Sequence, residues 1–191
     1  MSGDRANRSK LRVLDPGQLR PRLKLPAALA SLPDEIETPN ALLDRLVERG
    51  MQTEAARLLA YALPPREAVW WACRCVEHAA PAGMAAVERA AIEAAEAWVR
   101  APDEATRQRA AWAAAGAGYG APGAWAALGA YWCSANLQAD LRAGRGAETA
   151  IGRALERAGG ATREQHLATF IASGRHIARG GAGRVAPVAA Q

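Results

Sequence analysis

The chain has 191 residues, half of them hydrophobic, and a formal net charge of +5 at pH 7. This length is typical of one domain, which can bury a core without a structural metal or disulfides. The three cysteines are too few for the disulfide framework of a secreted protein, and no segment resembles a signal peptide or a transmembrane helix. The composition therefore predicts a cytoplasmic protein that does not enter the membrane.

The positive charge is concentrated at the N-terminus. Residues 1–24 contain seven arginines and lysines against two aspartates, whereas cations and carboxylates balance in the rest of the chain. Up to residue 37 there is no helical periodicity, and four prolines interrupt the sequence. We expect residues 1–37 to form a basic, disordered arm. Its Arg20, Arg22 and Lys24 are candidate contacts for an acidic partner.

The folded part is expected to begin with a pair of helices. Thr38 suits an N-cap, Pro39 suits the first helical position and Gly50 suits a helix end. A second helix is predicted over residues 51–62. Because the predicted gap between the two helices is about one residue, they should form an antiparallel hairpin.

Two further helices follow the prolines at 64 and 65. The first contains the stretch WWACRC, residues 70–75, which joins two tryptophans and two cysteines. The next is predicted over residues 84–100, where apolar residues recur at spacings of three and four. Its predicted buried stripe consists of Met84, Val87, Ala91, Ala94 and Trp98.

The remaining sequence predicts four more helices. A fifth helix opens at Pro102 and Asp103 and ends at the glycines after Ala115, and a sixth covers residues 121–137. The polar, glycine-rich stretch QADLRAGRG comes next, followed by one modest helix over residues 147–160. The sequence TREQ, from Thr162, is a capping box that opens the last amphipathic helix.

These elements predict an all-α protein. Short joints between helices of similar length favour antiparallel helical hairpins, arranged as a compact bundle or a short solenoid of six to eight helices. The domain is expected to cover residues 38–179, and residues 180–191 are expected to form a disordered tail.

Cys73, Cys75 and His78 form the first candidate metal site. On a helix, Cys75 and His78 share a face, whereas Cys73 points about 200° away from Cys75. A structural zinc ion needs four ligands, and no second pair of ligands with suitable spacing is present. The sequence therefore predicts buried structural cysteines and no metal site.

The cysteines and histidines are also candidates for nucleophilic catalysis. Cys133 lies near the end of its predicted helix, where the helix dipole opposes a thiolate, and no known catalytic or cofactor motif surrounds the histidines. We therefore predict no catalytic residue, no cofactor and no enzyme. The alternative is an enzyme or effector with a pocket near Trp71, Cys75 and His78. That alternative requires Cys75, His78, Cys133 and His166 to converge on one cleft.

Six tryptophans lie at helical positions with small or aliphatic neighbours. This spacing favours a role in packing between helices over a role as an aromatic platform that binds nucleic acid. Trp71 and His78 lie on a different face of their helix from the main apolar stripe. A helix that is apolar on more than one side needs more than one covering neighbour. Trp71 and His78 are thus candidate partner contacts, unless a helix of the same chain covers them.

Three stretches carry a resemblance to a known family: LPPREAVWWACRCV, AAEAWVRAPDEATRQRAAWAAAGAGYGAPGAWAALGAYW and EQHLATFIASGRHIARGG. Over residues 40–180 the chain resembles a family of uncharacterised bacterial proteins, a domain of unknown function often found among type VI secretion genes. It departs from the family pattern after Trp132, and the basic arm lies outside the family core. The resemblance implies a cytoplasmic accessory to secretion, and it supplies no catalytic residues.

The function expected from the sequence is non-enzymatic protein binding, as an adaptor or chaperone for a secretion component or effector. The basic arm also raises the alternative of nucleic-acid binding. The balanced charge of the rest of the chain argues against that alternative, because little is left to hold a phosphate backbone.

Overall fold

The computed structural model describes residues 9–80, 83–133, 137–158 and 162–184, and these residues form ten α-helices and one short 3-10 turn without any strand. The helices are α1 (Pro16–Leu23), α2 (Leu32–Glu35), α3 (Pro39–Glu48), α4 (Gln52–Ala62), α5 (Pro65–Ala79), α6 (Ala86–Arg100), α7 (Glu104–Ala117), α8 (Pro122–Trp132), α9 (Leu137–Arg157) and α10 (Arg163–Ala178). The predicted all-α class is confirmed. The helix count exceeds the predicted six to eight because the arm contributes α1 and α2.

The predicted helix starts are confirmed by local hydrogen bonds. The Thr38 side chain accepts a hydrogen bond from the backbone of Ala41, and Pro39 occupies the first turn of α3. Asp103 and Thr162 each form a capping box, at the starts of α7 and α10. These caps satisfy backbone donors that have no partner inside the helix, so they define where each helix begins.

The helix α5 lies at the centre of the molecule. It packs against α4, α6, α8, α9 and α10, while α9 packs against α4, α5 and α8. Trp71 is the largest fully buried side chain, and Val69, Cys73 and Val76 are fully buried as well. The tryptophans and cysteines that lie close together in α5 are therefore explained by the number of helices that cover it.

The buried face of α6 differs from the predicted stripe. Val87 was expected in the core but is 54% exposed, and Ala94 is only partly buried. The buried face includes Glu88, because Arg157 and the backbone N–H of Gly123 donate hydrogen bonds to its carboxylate in the interior. The residues that face the interior are Glu88, Ala91, Ile92, Ala95 and Trp98.

The glycine-rich stretch at residues 138–146 is helical and belongs to α9, which the sequence did not predict. A Cβ atom on Gly146 would lie 2.7 Å from the Cα atom of Gly129 in α8. One on Gly144 would lie 2.9 Å from the carbonyl oxygen of Ala60 in α4. These glycines thus allow close approach between helices, and the packing offsets their low helix propensity.

The predicted disorder of the arm is wrong for residues 9–37. Leu19 and Leu23 of α1 are buried, and α1 packs against α4. The backbone amide of Arg12 donates to the carbonyl of Ala62 at 2.7 Å. Two leucines four residues apart give even this short helix an apolar face. Pro16 lies in the first turn, where the backbone nitrogen has no partner inside the helix, so no hydrogen bond is lost. Residues 1–8 of the predicted arm lie outside the described residues.

The predicted loose C-terminal end is wrong for residues 180–184. Trp70 Nε1 donates to the carbonyl of Ala182 at 2.9 Å, and Ser173 Oγ donates to that of Gly183 at 2.6 Å. These bonds fold the chain back onto α5 and α10. The remainder of the predicted tail, residues 185–191, lies outside the described residues.

The predicted sixth and seventh helices have different bounds in the structure. The helix α8 ends at Trp132, so it is shorter than the predicted 121–137. Residues 134–136 of that prediction, and residues 159–160 of the helix predicted over 147–160, lie outside the described residues.

Candidate functional site

A groove with a volume of about 730 Å³ runs between the end of α1 and the outer face of α9. Tyr61 and Leu141 contribute apolar surface to it, and most of the other lining side chains are charged. Five of these charges are positive and two are negative. The lining residues are Pro21, Arg22, Lys24, Tyr61, Leu141, Arg142, Arg145, Glu148, Thr149, Gly152, Arg153 and Glu156.

The helix α9 supplies one wall of the groove through residues that recur at helical spacing. Residues three and four apart on a helix share a face, as Arg142, Arg145, Thr149, Arg153 and Glu156 do. The opposite face of α9 carries alanines that pack into the core. The amphipathic character of α9 therefore directs its charged side chains into the groove.

Tyr61 and Glu148 form a hydrogen-bonded pair in the groove. Tyr61 Oη donates to Glu148 Oε2 at 2.7 Å, and Arg57 Nε donates to Glu148 Oε1 at 3.2 Å. Lys24 Nζ lies 3.8 Å from the same carboxylate. Burial, and then the hydrogen bond to Glu148, raise the pKa of Tyr61 above its usual range. The charge of Glu148 is thus compensated from within the chain.

Four arginines of the groove lack such compensation. Among the described residues, Arg22, Arg142, Arg145 and Arg153 form no ion pair. The guanidinium carbon of Arg22 lies 5.6 Å from the centroid of the Tyr61 ring, a cation–π geometry. Arg142 and Arg145 are exposed. The groove therefore presents net positive charge to a ligand.

The arm is attached to the body by polar contacts beside the groove. Arg12 Nη1 donates to Asp140 Oδ2 at 2.6 Å, and Arg57 Nη1 donates to the carbonyl of Leu23 at 3.2 Å. These contacts hold the groove wall that carries Arg22 and Lys24.

The three cations proposed from the sequence have different positions. Arg22 and Lys24 line the groove. Arg20 instead pairs with Asp34 of α2 and is absent from the groove lining.

Trp71, the fourth candidate contact, is not available to a partner. Its side chain is fully buried, and its Nε1 donates to the carbonyl of Phe170 in α10 at 2.8 Å. The expectation that Trp71 contacts a partner is therefore wrong, because a helix of the same chain covers it. Gly174, one turn beyond Phe170, leaves room for the indole ring.

His78, the fifth candidate, lies at the end of the same α5–α10 contact. Its ring centroid is 5.6 Å from that of His166 and 5.9 Å from that of Phe170. His166 is only 6% exposed, and neither of its ring nitrogens has a hydrogen-bond partner. Burial, and then the neighbouring His166, lower the pKa of His78. His78 itself remains partly exposed and does not line the groove.

The three cysteines are buried and form no disulfide. Burial raises the pKa of Cys73 to about 12, raises that of Cys133 to about 12, and raises that of Cys75 well above its usual value. Cys133 lies near Asp140 and Arg12, whose charges act on its thiol. Within the described part of the chain, no three His, Cys, Asp or Glu side chains are grouped to hold a metal ion.

The four residues of the enzyme alternative thus occupy different environments. The structure brings His78 and His166 together, whereas Cys133 lies at the C-terminal end of α8, near Arg12 of the arm. Cys75 shares a face of α5 with His78 but is fully covered.

The expected packing role of the tryptophans is confirmed for five of the six. Trp71 and Trp98 are buried, and three others pack against the core. Trp112 of α7 is the exception, since it is 71% exposed.

The sequence prediction missed the groove residues on α9. Arg142 and Arg145 belong to the stretch that was not expected to be helical. Their spacing with Thr149 and Glu156 was the available signal, because it already follows the period of a helix. The glycines between them obscured that pattern.

The fold and site define an all-helical domain with a basic groove at its surface. The model of DUF6931, a family of unknown function, matches residues 42–178, and the chain belongs to this family. No curated protein matches the chain, and no solved structure does. The arm that forms one wall of the groove precedes the matched segment. No helix among the described residues is long and apolar enough to cross a membrane.

Proposed function

We propose that this chain is a non-enzymatic protein-binding accessory, and that its groove holds an acidic segment of the partner. The observation that carries this proposal is the groove between α1 and α9, in which Arg22, Arg142 and Arg145 have no carboxylate partner among the described residues. A complementary negative segment would neutralise these charges and would be guided to the groove by them.

The mixed charge of the groove favours a polypeptide over a nucleic acid. Glu148 and Glu156 line the same surface as the arginines. A nucleic acid presents a uniform row of phosphates, which Glu156 would repel. A polypeptide offers acidic side chains to the arginines and backbone N–H groups to the carboxylates, so it can satisfy both signs.

The identity of the partner is inferred from the family resemblance. The sequence resembles a family of bacterial proteins whose occurrence among type VI secretion genes is implied by that resemblance alone, so we propose a cytoplasmic adaptor or chaperone that binds a component of the secretion apparatus or an effector. The arm adapts the family domain to a particular partner, because it brings Arg22 and Lys24 to the groove from outside the matched segment.

Site-specific crosslinking in the native host tests this proposal. A photoreactive amino acid replaces Thr149, which lies between the arginines and Glu156 in the groove. We expect one main protein crosslink, with the crosslinked peptide rich in Asp and Glu. Crosslinks to nucleic acid, or the absence of any protein crosslink, would overturn the proposal.

A charge-reversal variant provides a second test. The double substitution Arg142→Glu and Arg145→Glu should abolish the crosslink and the copurification of the crosslinked protein. The matched control is Arg109→Glu, which reverses an exposed charge on α7, away from the groove lining. Undiminished binding by the double variant would contradict the proposed site.

A further inference from the structure

We propose that the cationic end of the groove is a binding site for a dianionic phosphate monoester carried on the partner's polypeptide. This inference rests on the proposed function and specifies the chemistry of the anchoring group. Arg22, Arg142 and Arg145 supply the guanidinium groups of the site.

Arg22 of the arm and Arg145 of α9 both lie near Tyr61. Arg22 stacks over the Tyr61 ring, and the charges of both arginines act on the Tyr61 hydroxyl, where they partly oppose the effect of burial on its pKa. Arg142 is three residues before Arg145 and lines the same groove. The arm and α9 thus contribute guanidinium groups to one region around one aromatic ring.

The carboxylates of the groove leave this region positive. The carboxylate of Glu148 accepts a hydrogen bond from the Tyr61 hydroxyl and forms ion pairs with Arg57 and Lys24. Glu156 lies three helical turns beyond Arg145, roughly 16 Å along the axis of α9. No carboxylate of the groove therefore cancels the charge of the arginines next to Tyr61.

Several uncompensated guanidinium groups match a phosphate better than a single carboxylate. A phosphate monoester carries nearly two negative charges at neutral pH and three acceptor oxygens, whereas an aspartate carries one charge and two oxygens. Guanidinium groups donate paired hydrogen bonds to phosphate oxygens, and arginine clusters are a recurring means of recognising phosphorylated segments. The groove is wide enough to admit the surrounding polypeptide, with a volume of about 730 Å³.

Binding of defined peptides to the full chain tests the inference. The probes are three labelled pentapeptides with the same alanine flanks and a central phosphoserine, aspartate or serine, measured by fluorescence anisotropy at low salt. We expect the phosphoserine peptide to bind about tenfold more tightly than the aspartate peptide. Its affinity should increase as the pH rises through about 6, where the phosphate loses its second proton.

The variants Arg145→Gln and Arg109→Gln form a matched pair, each removing one exposed arginine. Arg145→Gln should weaken phosphoserine binding about tenfold and reduce the pH dependence, and Arg109→Gln should leave both unchanged. Circular dichroism confirms that each variant is folded. Equal affinity for the phosphoserine and aspartate peptides would overturn the phosphate site without affecting the crosslinking test of the acidic segment.

Competition by inorganic phosphate distinguishes the source of the group. We expect inorganic phosphate to displace the phosphoserine peptide only at much higher concentration than the peptide itself. Displacement at equal concentration would overturn the assignment of the phosphate to a polypeptide. Insensitivity of the phosphoserine peptide to Arg145→Gln would overturn the assigned arginines.

Discussion

Arg157 Nη1 donates to Glu88 Oε2 at 2.5 Å, although the Glu88 residue is only 3% exposed. The other carboxylate oxygen accepts the backbone N–H of Gly123 at 3.0 Å. One buried carboxylate therefore connects α6, α8 and α9. This pairing also explains why Glu88, and not Val87, faces the interior.

Removing Arg157 should destabilise the protein more than an ordinary surface change. Arg157→Ala leaves the buried Glu88 with only its backbone partner, so we expect a loss of about 2–4 kcal/mol in the free energy of unfolding. The control Arg109→Ala should change it by less than about 0.5 kcal/mol. Urea unfolding measures both, and equal stabilities of the two variants would contradict a structural role for the ion pair.

Alanine substitutions at two glycines of α9 should have opposite effects on the stability of the protein. Gly146→Ala places a Cβ atom against the backbone of α8, so we expect a loss of about 1–3 kcal/mol. Gly152 has open space at the same position, so Gly152→Ala should stabilise the protein by about 0.5–1 kcal/mol through helix propensity. The midpoints of thermal unfolding compare the two, and a stabilised Gly146→Ala variant would refute the close α8–α9 contact.

The docking of the arm makes a prediction about two apolar residues. Leu23 is fully buried and Val13 is 76% exposed. Leu23→Ala should therefore cost about 2–4 kcal/mol in the free energy of unfolding, whereas Val13→Ala should cost less than about 0.5 kcal/mol. Chemical denaturation of the full chain tests this, and an arm that is detached in solution would show no difference between the two.

The cysteine thiols should be unreactive in the folded protein. Burial raises the pKa of Cys73 and that of Cys133 to about 12, and it covers Cys75 as well, so few thiolates are present near neutral pH. We expect a disulfide exchange reagent to modify no thiol of the native chain rapidly at about pH 8. All three should react after unfolding in denaturant. Rapid labelling of the native protein would show that a thiol is accessible.

His78 should make stability depend on pH. Burial, and then the neighbouring His166, lower the pKa of His78 below its usual value of 6.5. The unfolded chain therefore takes up a proton at this side chain at higher pH than the folded chain does. Its contribution to stability is complete above pH 6.5 and is lost as the pH falls towards the folded pKa.

This effect is measured by thermal unfolding between about pH 7.5 and about pH 5.5. Because His78 is exposed, we expect a small decrease in the melting temperature towards low pH. His78→Gln should make the profile flatter, whereas His176→Gln, on the exposed side of α10, should not. A wild-type profile that rises as the pH falls would contradict the proposed sign.

Much of the local structure was predictable from the sequence. The starts of α3, α7 and α10 follow from Thr38, Asp103 and Thr162, because a cap forms from residues close together in the chain. The all-α class follows from alanine content and from the period of the apolar residues. Neither inference requires knowledge of which helix packs against which.

The candidate site was predictable only in part. Arg22 and Lys24 were identified from the charge of the arm, and both line the groove. Arg142 and Arg145 were missed because their helix contains glycines, whose low helix propensity suggests an interruption. That propensity is outweighed by close packing against α4 and α8, which involves residues far away in the sequence.

The sequence by itself determined where most helices begin and that the chain folds as helices, since capping and propensity act over a few residues. Only the tertiary structure decided which faces are covered. Trp71 is buried by α10 of its own chain, and the arm packs through α1 against α4. These contacts join residues that are distant in the chain. Their free energy depends on the shapes of both surfaces, and a local sequence pattern does not determine those shapes.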